Sequence, residues 1–450
     1  MSGTFESGAA GLRRISRGIA GDAILVSILG AAVKIAGALK VVTMARAYGA
    51  SDALDSFLAA FLVPSLIADT LANPLTSALV PAFVSLKETA GVASAERMYQ
   101  SVVGWVLTAL AGFAMLLAVG SPFFVPLIAS GFDAPKREVT HQLLLMLLPL
   151  LPIGGLSVAY RARLNSAGQF AVAALAPVAV PVLTINAIFL FGRTWGVYAL
   201  AGGTIAGGVV EVSLLAYALA RSGHRVLPTW ARRTPEMDRV FLQYVPIMAG
   251  TLLFGGALLV DQALAARLAP GSVSALNLGT KLVTVFLAVA ATGVGTAALP
   301  HLSRFAARND WAGLLRTLRS QGLMMLAAAT SGTIFLLLFS DTVVRFLFQS
   351  RAFTDEAAAL VGSVQRAALL RVPFAIVLAM LLGLVSALRR NELMVRAAVV
   401  SFIVNVTLDF VVMQSGFGVV GIPIAGSITQ AVTAIYLGWL VYRVARERSA

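Results

Sequence analysis

The 450-residue chain is 59% hydrophobic, carries only 12% charged residues and has a mean hydropathy of +0.88. A soluble domain carries roughly twice that charge, and continuous apolar runs rather than alternating ones exclude a β-barrel, so the sequence reads as an all-α polytopic membrane protein. With no cysteine there are no disulfides or thiolate metal sites, and the net charge of +14 is spread along the chain in a way that argues against nucleic acid as a partner.

Residues 1–21 are polar and basic, with Arg13, Arg14 and Arg17, and show no cleavable signal peptide. Twelve spans are predicted, at about 23–47, 55–86, 101–128, 141–165, 172–192, 197–220, 240–268, 275–300, 319–344, 361–388, 397–415 and 421–443. With the N-terminus placed in the cytoplasm, 22 of the 34 Lys and Arg fall on the cytoplasmic side, seven fall outside and five lie within spans. That is the bias the positive-inside rule demands. The expectation is a multi-pass protein of a bacterial cytoplasmic membrane with both termini inside, its basic character set by topology.

The first two spans hold the most informative charges, Lys34, Lys40, Asp55 and Asp69. A charge at bilayer depth costs at least ~2.5–3.5 kcal/mol, so two cations in the first span call for a watery cavity, partners or a ligand. Snorkelling of each lysine to an interface is the alternative. Gly30 and Gly37 offer a kink that would bring the two lysines together. In the second span Asp55, Leu62, Asp69, Asn73 and Thr76 recur on one helical face, with Pro64 and Asn73-Pro74 placed to bend the helix or free carbonyls. Lys34, Lys40 and Arg46 against Asp55 and Asp69 leave this region net cationic, suited to an anionic head group such as a pyrophosphate. Internal Lys–Asp pairing that only joins the two helices stays open.

Similar segments recur at an offset near 220 residues. Leu79-Val80-Pro81 ends span two and Leu299-Pro300-His301-Leu302 ends span eight. Phe124-Val125-Pro126-Leu127 follows span three, and Val344-Arg345-Phe346-Leu347 follows span nine. Gly196-Val197-Tyr198 opens span six and Gly418-Val419-Val420 opens span twelve. Two six-helix lobes are therefore predicted, residues 1–220 and 240–450, joined by a basic cytoplasmic linker at 221–239. Six is even, so the repeat is parallel and its axis lies along the membrane normal, an architecture of transporters that work by alternating access.

The second lobe offers Asp261 in span seven, Lys281 in span eight, and the stripe Ser401, Asn405 and Asp409 in span eleven, with Ser427 and Thr429 in span twelve. Carboxylate, amide and hydroxyl oxygens are hard ligands suited to a small cation such as Na⁺. A protonatable Asp409 carrying H⁺ is a second reading, and pairing of Asp261 with Lys281 or Arg267 a third. His141, His224 and His301 lack metal-ligand spacing, and neither a P-loop nor a dinucleotide fingerprint is present. Nothing resembles a catalytic centre, and no cofactor is expected beyond a bound Na⁺.

The blocks Lys34-Ile35-Ala36-Gly37-Ala38-Leu39-Lys40, Ala45-Arg46-Ala47-Tyr48-Gly49-Ala50, Asp55-Ser56-Phe57, Val63-Pro64, Gly271-Ser272-Val273-Ser274 and Phe346-Leu347-Phe348-Gln349-Ser350-Arg351 resemble the MurJ/MviN family of lipid II flippases. That family belongs to the multidrug/oligosaccharidyl-lipid/polysaccharide (MOP) exporter superfamily. The resemblance implies that Lys34 and Lys40 stand where the family's cavity arginines hold the lipid pyrophosphate. It sets Asp55 and Lys281 on the family's acidic and basic positions of helices two and eight. It also maps a sodium site onto Asp261, Asn405, Asp409 and Thr429. The implied function is translocation of a polyprenyl-diphosphate-linked saccharide, coupled to Na⁺, H⁺ or membrane potential, with the lipid bilayer and polysaccharide or cell-wall assembly enzymes as partners.

The chain departs from the family at Pro64-Ser65-Leu66-Ile67-Ala68-Asp69, where a pair of arginines is expected, and at Asn73-Pro74-Leu75-Thr76, which replaces a glycine-rich block. It also shows no counterpart, after span twelve, of the two extra helices that form the family's lipid-tail groove. An exopolysaccharide or surface-glycan precursor is therefore as much expected as lipid II. A cation-coupled multidrug antiporter is the alternative within the superfamily, and an integral-membrane enzyme acting on lipid-linked sugars the alternative from another class.

Overall fold

A computed structural model describes residues 3–230, 237–238, 241–242, 255–297, 311–388 and 390–449. Side chains are described from Leu25 onward, except at 68–69, 71–74, 77, 288–297, 311–312, 387, 391 and 448–449. Every regular element among the described residues is helical. The first half of the chain holds α1 (Gly3–Tyr48), α2 (Asp52–Ala90), α3 (Val92–Ile128), α4 (Ala134–Leu147), α5 (Leu150–Ser166), α6 (Phe170–Leu175), α7 (Ala179–Trp195) and α8 (Val197–Arg221). The second half holds α9 (Gly255–Ala265), α10 (Ser272–Ala297), α11 (Trp311–Phe348), α12 (Asp355–Leu369), α13 (Val372–Ala387), α14 (Asn391–Gln414) and α15 (Gly421–Ser449).

Eight described stretches are long and apolar enough to cross a membrane, and nine if α12 and α13, bent by 42° at their junction, form one span. With α2 and the shorter apolar helices α9 and α10, each of the twelve predicted spans is met by a helix, in two lobes of six. Lipid offers no hydrogen bonds, so each span must satisfy its own backbone while its outer side chains stay apolar. Large apolar residues are accordingly left uncovered by protein, among them Phe123, Leu338, Val119 and Leu190. Several hydroxyls within the spans are satisfied locally: Thr184 donates to the Val180 carbonyl, Thr280 to that of Leu276 and Thr407 to that of Ile403.

The repeat is visible in the backbone, in one register. Gly49 and Gly271 have φ of 67° and 84°, Gly196 and Gly418 have φ of 53° and 57°, and the members of each pair stand 222 positions apart. The break between α4 and α5 after Leu147 recurs between α12 and α13 after Leu369, again 222 positions on. By packing, the chain divides into two compact units, one of residues 1–44, 63–122 and 142–248 and the other of 45–62, 123–141 and 249–450.

In the first unit α7 and α8 run close together because α8 has no Cβ at two contact points. A Cβ on Gly203 would lie 2.6 Å from the Ala187 Cβ, and one on Gly207 2.5 Å from the Val180 Cα. The small-residue pairs Gly202-Gly203 and Gly207-Gly208 in the sequence thus mark close helix packing. The start of the inter-lobe segment lies on α3, with the Thr229 N–H donating to the Gln100 carbonyl at 3.2 Å and Trp230 Nε1 to Thr108 Oγ1 at 2.8 Å. In the second unit a core of Val283, Leu369, Val372, Leu381, Leu384 and Leu437 gathers α10, α12, α13 and α15.

Candidate functional site

Two groups of the predicted residues belong to the first unit. Lys34 is exposed and Lys40 half-buried on α1. The helix runs unbroken through Gly30 and Gly37, where an added Cβ would meet nothing within 4 Å. These glycines are therefore not demanded by packing. α2 likewise continues through Pro64 and Pro74, and the side chains of Asp69 and Asn73 lie outside the described residues. In the second unit Lys281 is exposed on α10.

Arg46 and Asp55 are both engaged by protein groups of the second unit. Arg46, in the last turn of α1, donates through Nε to the Leu347 carbonyl at 2.7 Å and through Nη2 to that of Phe346 at 2.8 Å. These are terminal carbonyls of α11, where a helix presents unsatisfied acceptors and negative potential. Ser350 Oγ returns a bond to the Arg46 carbonyl at 2.9 Å. Asp55, 1% exposed, accepts from Lys136 Nζ at 2.9 Å, from the Gly271 and Ser274 N–H groups at 2.8 and 2.7 Å, and from Ser274 Oγ at 2.5 Å. It thereby serves as a carboxylate cap on the N-terminus of α10, supplied by a different helix. Lys136 also reaches Asp52 at 2.6 Å and lies 4.0 Å from the Phe132 ring centroid. Backbone contact tightens the same region: a Cβ on Gly49 would sit 2.0 Å from the Ala352 carbonyl oxygen, and one on Gly131 2.3 Å from that of Ala266. Sequence reasoning did not find Lys136, because the bond partner of an intramembrane carboxylate lay 81 residues away.

The second-lobe oxygens come together as the stripe in span eleven requires. Asp261 on α9 faces both Asp409 and Asn405 of α14 closely enough to interact with each. Asp409 is fully buried, and neither of its carboxylate oxygens has a hydrogen-bond partner. Asp261 Oδ1, Asn405 Oδ1 and Thr429 Oγ1 are buried and equally unpaired. Buried acceptors left without donors are costly, several at once especially so. They fit a cation bound through hard oxygen ligands, and among the described residues no cluster of three or more His, Cys, Asp and Glu side chains suggests a transition metal. Ser427, named beside Thr429, is turned away to the Ala367 and Pro423 carbonyls at 3.1 and 2.8 Å. Sequence reasoning gave no role to Arg371, whose charge acts on Asp261 and whose Nε is buried and unpaired.

Two lobes of six helices are the fold this chain shares with solved transporters of the MOP superfamily. An inward-facing multidrug resistance MATE family transporter of that superfamily superposes with a TM-score of 0.76 at 16% identity, covering 95% of this chain and 98% of that one. A structure of the lipid II flippase MurJ in an inward closed conformation superposes with a TM-score of 0.80 at 19% identity, covering 93% and 87%. The family model described as lipid II flippase MurJ matches residues 44–448, and the chain belongs to that family. Probable lipid II flippases of Rhizobium tropici and Bdellovibrio bacteriovorus are 27% and 25% identical over 74% and 85% of this chain. The chain spans 64% of the length of the former and 74% of the latter.

Proposed function

We propose that this chain is an inner-membrane flippase that moves a polyprenyl-diphosphate-linked saccharide, lipid II foremost, from the cytoplasmic to the outer leaflet. The family match over residues 44–448 carries the reading. Lys34 and Lys40, in the apolar run of α1, give it a chemistry, since a pyrophosphate is the anion two intramembrane cations would meet. The lysines attract it as point charges and lack the bidentate fork of arginine. Residues 1–220 and 240–450 act as lobes of an alternating-access cycle, with the saccharide passing between them, the tail left in lipid and both termini in the cytoplasm. Asp261, Asn405, Asp409 and Thr429 form a cation site whose occupancy is coupled to the cycle. A bound Na⁺ would supply the positive charge that the buried Asp409 lacks.

A second substrate is favoured by one feature of the chain. Pro64-Ser65-Leu66-Ile67-Ala68-Asp69 supplies an acid where the family carries paired arginines, which reduces the positive charge available to lipid II and suits another lipid-linked glycan. Native mass spectrometry of the purified protein with its retained lipids tests both. Lys34→Ala is expected to keep the folded mass but lose the retained polyprenyl-diphosphate lipid and its transport, and the mass of the lipid names the glycan. A Lys34→Ala protein that transports normally would sink the proposal.

A further inference from the structure

Arg371 stands at the junction of α12 and α13, where the span bends by 42°. The equivalent junction of the first repeat, 222 positions earlier, carries Pro149. The break is common to both lobes, but the charge belongs to the second alone. The Ser427 hydroxyl, bonded at 3.1 Å to the Ala367 carbonyl, holds α15 against the end of α12 one turn before Arg371. There the guanidinium Nε is buried without a hydrogen-bond partner, and the charge that acts on it is that of Asp261, which in turn faces Asp409 and Asn405.

We propose that Arg371 is the fixed counter-charge that sets the valence of this cation site, restricting it to a monovalent ion. The inference rests on the cation-site reading above. Two carboxylates and one guanidinium leave a single net negative charge among buried groups, which one monovalent cation neutralises. A divalent ion would leave a positive charge uncompensated in a low-dielectric interior, where unpaired charge is expensive. The ligand oxygens cannot make that distinction themselves, because carboxylate, amide and hydroxyl groups serve Na⁺ and Ca²⁺ alike. The guanidinium suits the task because it stays protonated even when buried, so its charge does not vary over the cycle.

Thermal unfolding of the purified full chain in detergent, in NaCl, CaCl₂ or choline chloride at matched ionic strength, tests this. The expected pattern is stabilisation of the unaltered protein by Na⁺ and not by Ca²⁺. In Arg371→Gln the apparent Ca²⁺ affinity should rise about tenfold or more, as it does when a site gains net ligand charge, whereas Arg371→Lys should keep the original order. Asp261→Asn should lose the Na⁺ response, and adding Arg371→Gln to it should restore that response by returning the site to one net negative charge. Two merely damaging substitutions would not rescue each other, so the double variant decides the matter even if Arg371→Gln alone folds poorly. An Arg371→Gln protein with the original ion order, or a double variant still blind to Na⁺, overturns the role of Arg371 and leaves the cation site standing. An unaltered protein that responds to neither ion, with Asp409→Asn unfolding identically, overturns the cation site and this inference with it.

Discussion

At the scale of single residues, Asp55 makes the sharpest energetic claim. Four donors converge on one buried carboxylate, two of them backbone N–H groups at the start of α10. Replacing it by alanine leaves Lys136, itself 10% exposed, facing only the exposed Asp52, and leaves the Gly271 and Ser274 amides unpaired. Breaking one side of a buried ion pair costs on the order of 3–5 kcal/mol, whereas exposed pairs contribute about 0–1 kcal/mol. Asp55→Ala should therefore lower the thermal unfolding midpoint markedly and Asp52→Ala hardly at all; equal midpoints for the two variants would refute the stabilising role of the Asp55 cap. This is also where sequence reading reached its limit. That Asp55 matters was visible from its charge in an apolar run. That its partners are Lys136 and the α10 terminus was not, because residues 81 and 216 positions distant leave no local pattern. The oxygens of span eleven were legible for the opposite reason, since Asn405 and Asp409 sit four apart on one helix and declare a shared face by spacing alone.

At the scale of elements, glycine separates packing from propensity. α8 approaches α7 through Gly203 and Gly207, and the atom that a Cβ on Gly207 would strike is the backbone Cα of Val180, which cannot swing aside. Gly207→Leu should prise the two helices apart and reduce the yield of folded, monodisperse protein. Gly30→Ala on α1, where a Cβ meets nothing within 4 Å, should be neutral or slightly stabilising, by up to about 1 kcal/mol of helix propensity. Size-exclusion profiles and unfolding midpoints of the two variants check the contrast, and a Gly30→Ala protein as damaged as Gly207→Leu would contradict it. The same contrast separates what an apolar sequence declares about its helices from what it hides. Glycine pairs in α8 signalled contact correctly because two small residues per turn serve little else in lipid. Glycines in α1 mark no such contact, and α1 continues as helix through both Gly30 and Gly37. The breaks after Leu147 and Leu369 passed unseen because hydropathy stays high across them, and an apolar run does not record where its hydrogen-bond ladder pauses.

At the scale of the whole molecule, the proposed alternating-access cycle makes a demand on the contacts inside the second packing unit. That unit joins residues 45–62 and 123–141, which in sequence belong to the first lobe, to residues 249–450. Its fastenings are the Arg46 bonds to the α11 carbonyls, the Asp55 cap on α10 and the bond from Arg267 Nε to Ser130 Oγ at 2.9 Å. On the flippase reading these must open once per cycle, because a permanently fastened end gives the saccharide no exit. The chain contains no cysteine, so Ser130→Cys with Arg267→Cys introduces a single addressable pair in an otherwise thiol-free protein. Joining that pair with a short reductant-cleavable thiol cross-linker should abolish translocation of a labelled polyprenyl-diphosphate saccharide in proteoliposomes, and cleaving the linker should restore it. Either single-cysteine variant treated identically should stay active. Undiminished translocation by the fully cross-linked protein would mean that these segments remain together throughout the cycle, and the path of the head group would then have to be sought away from this end of the molecule.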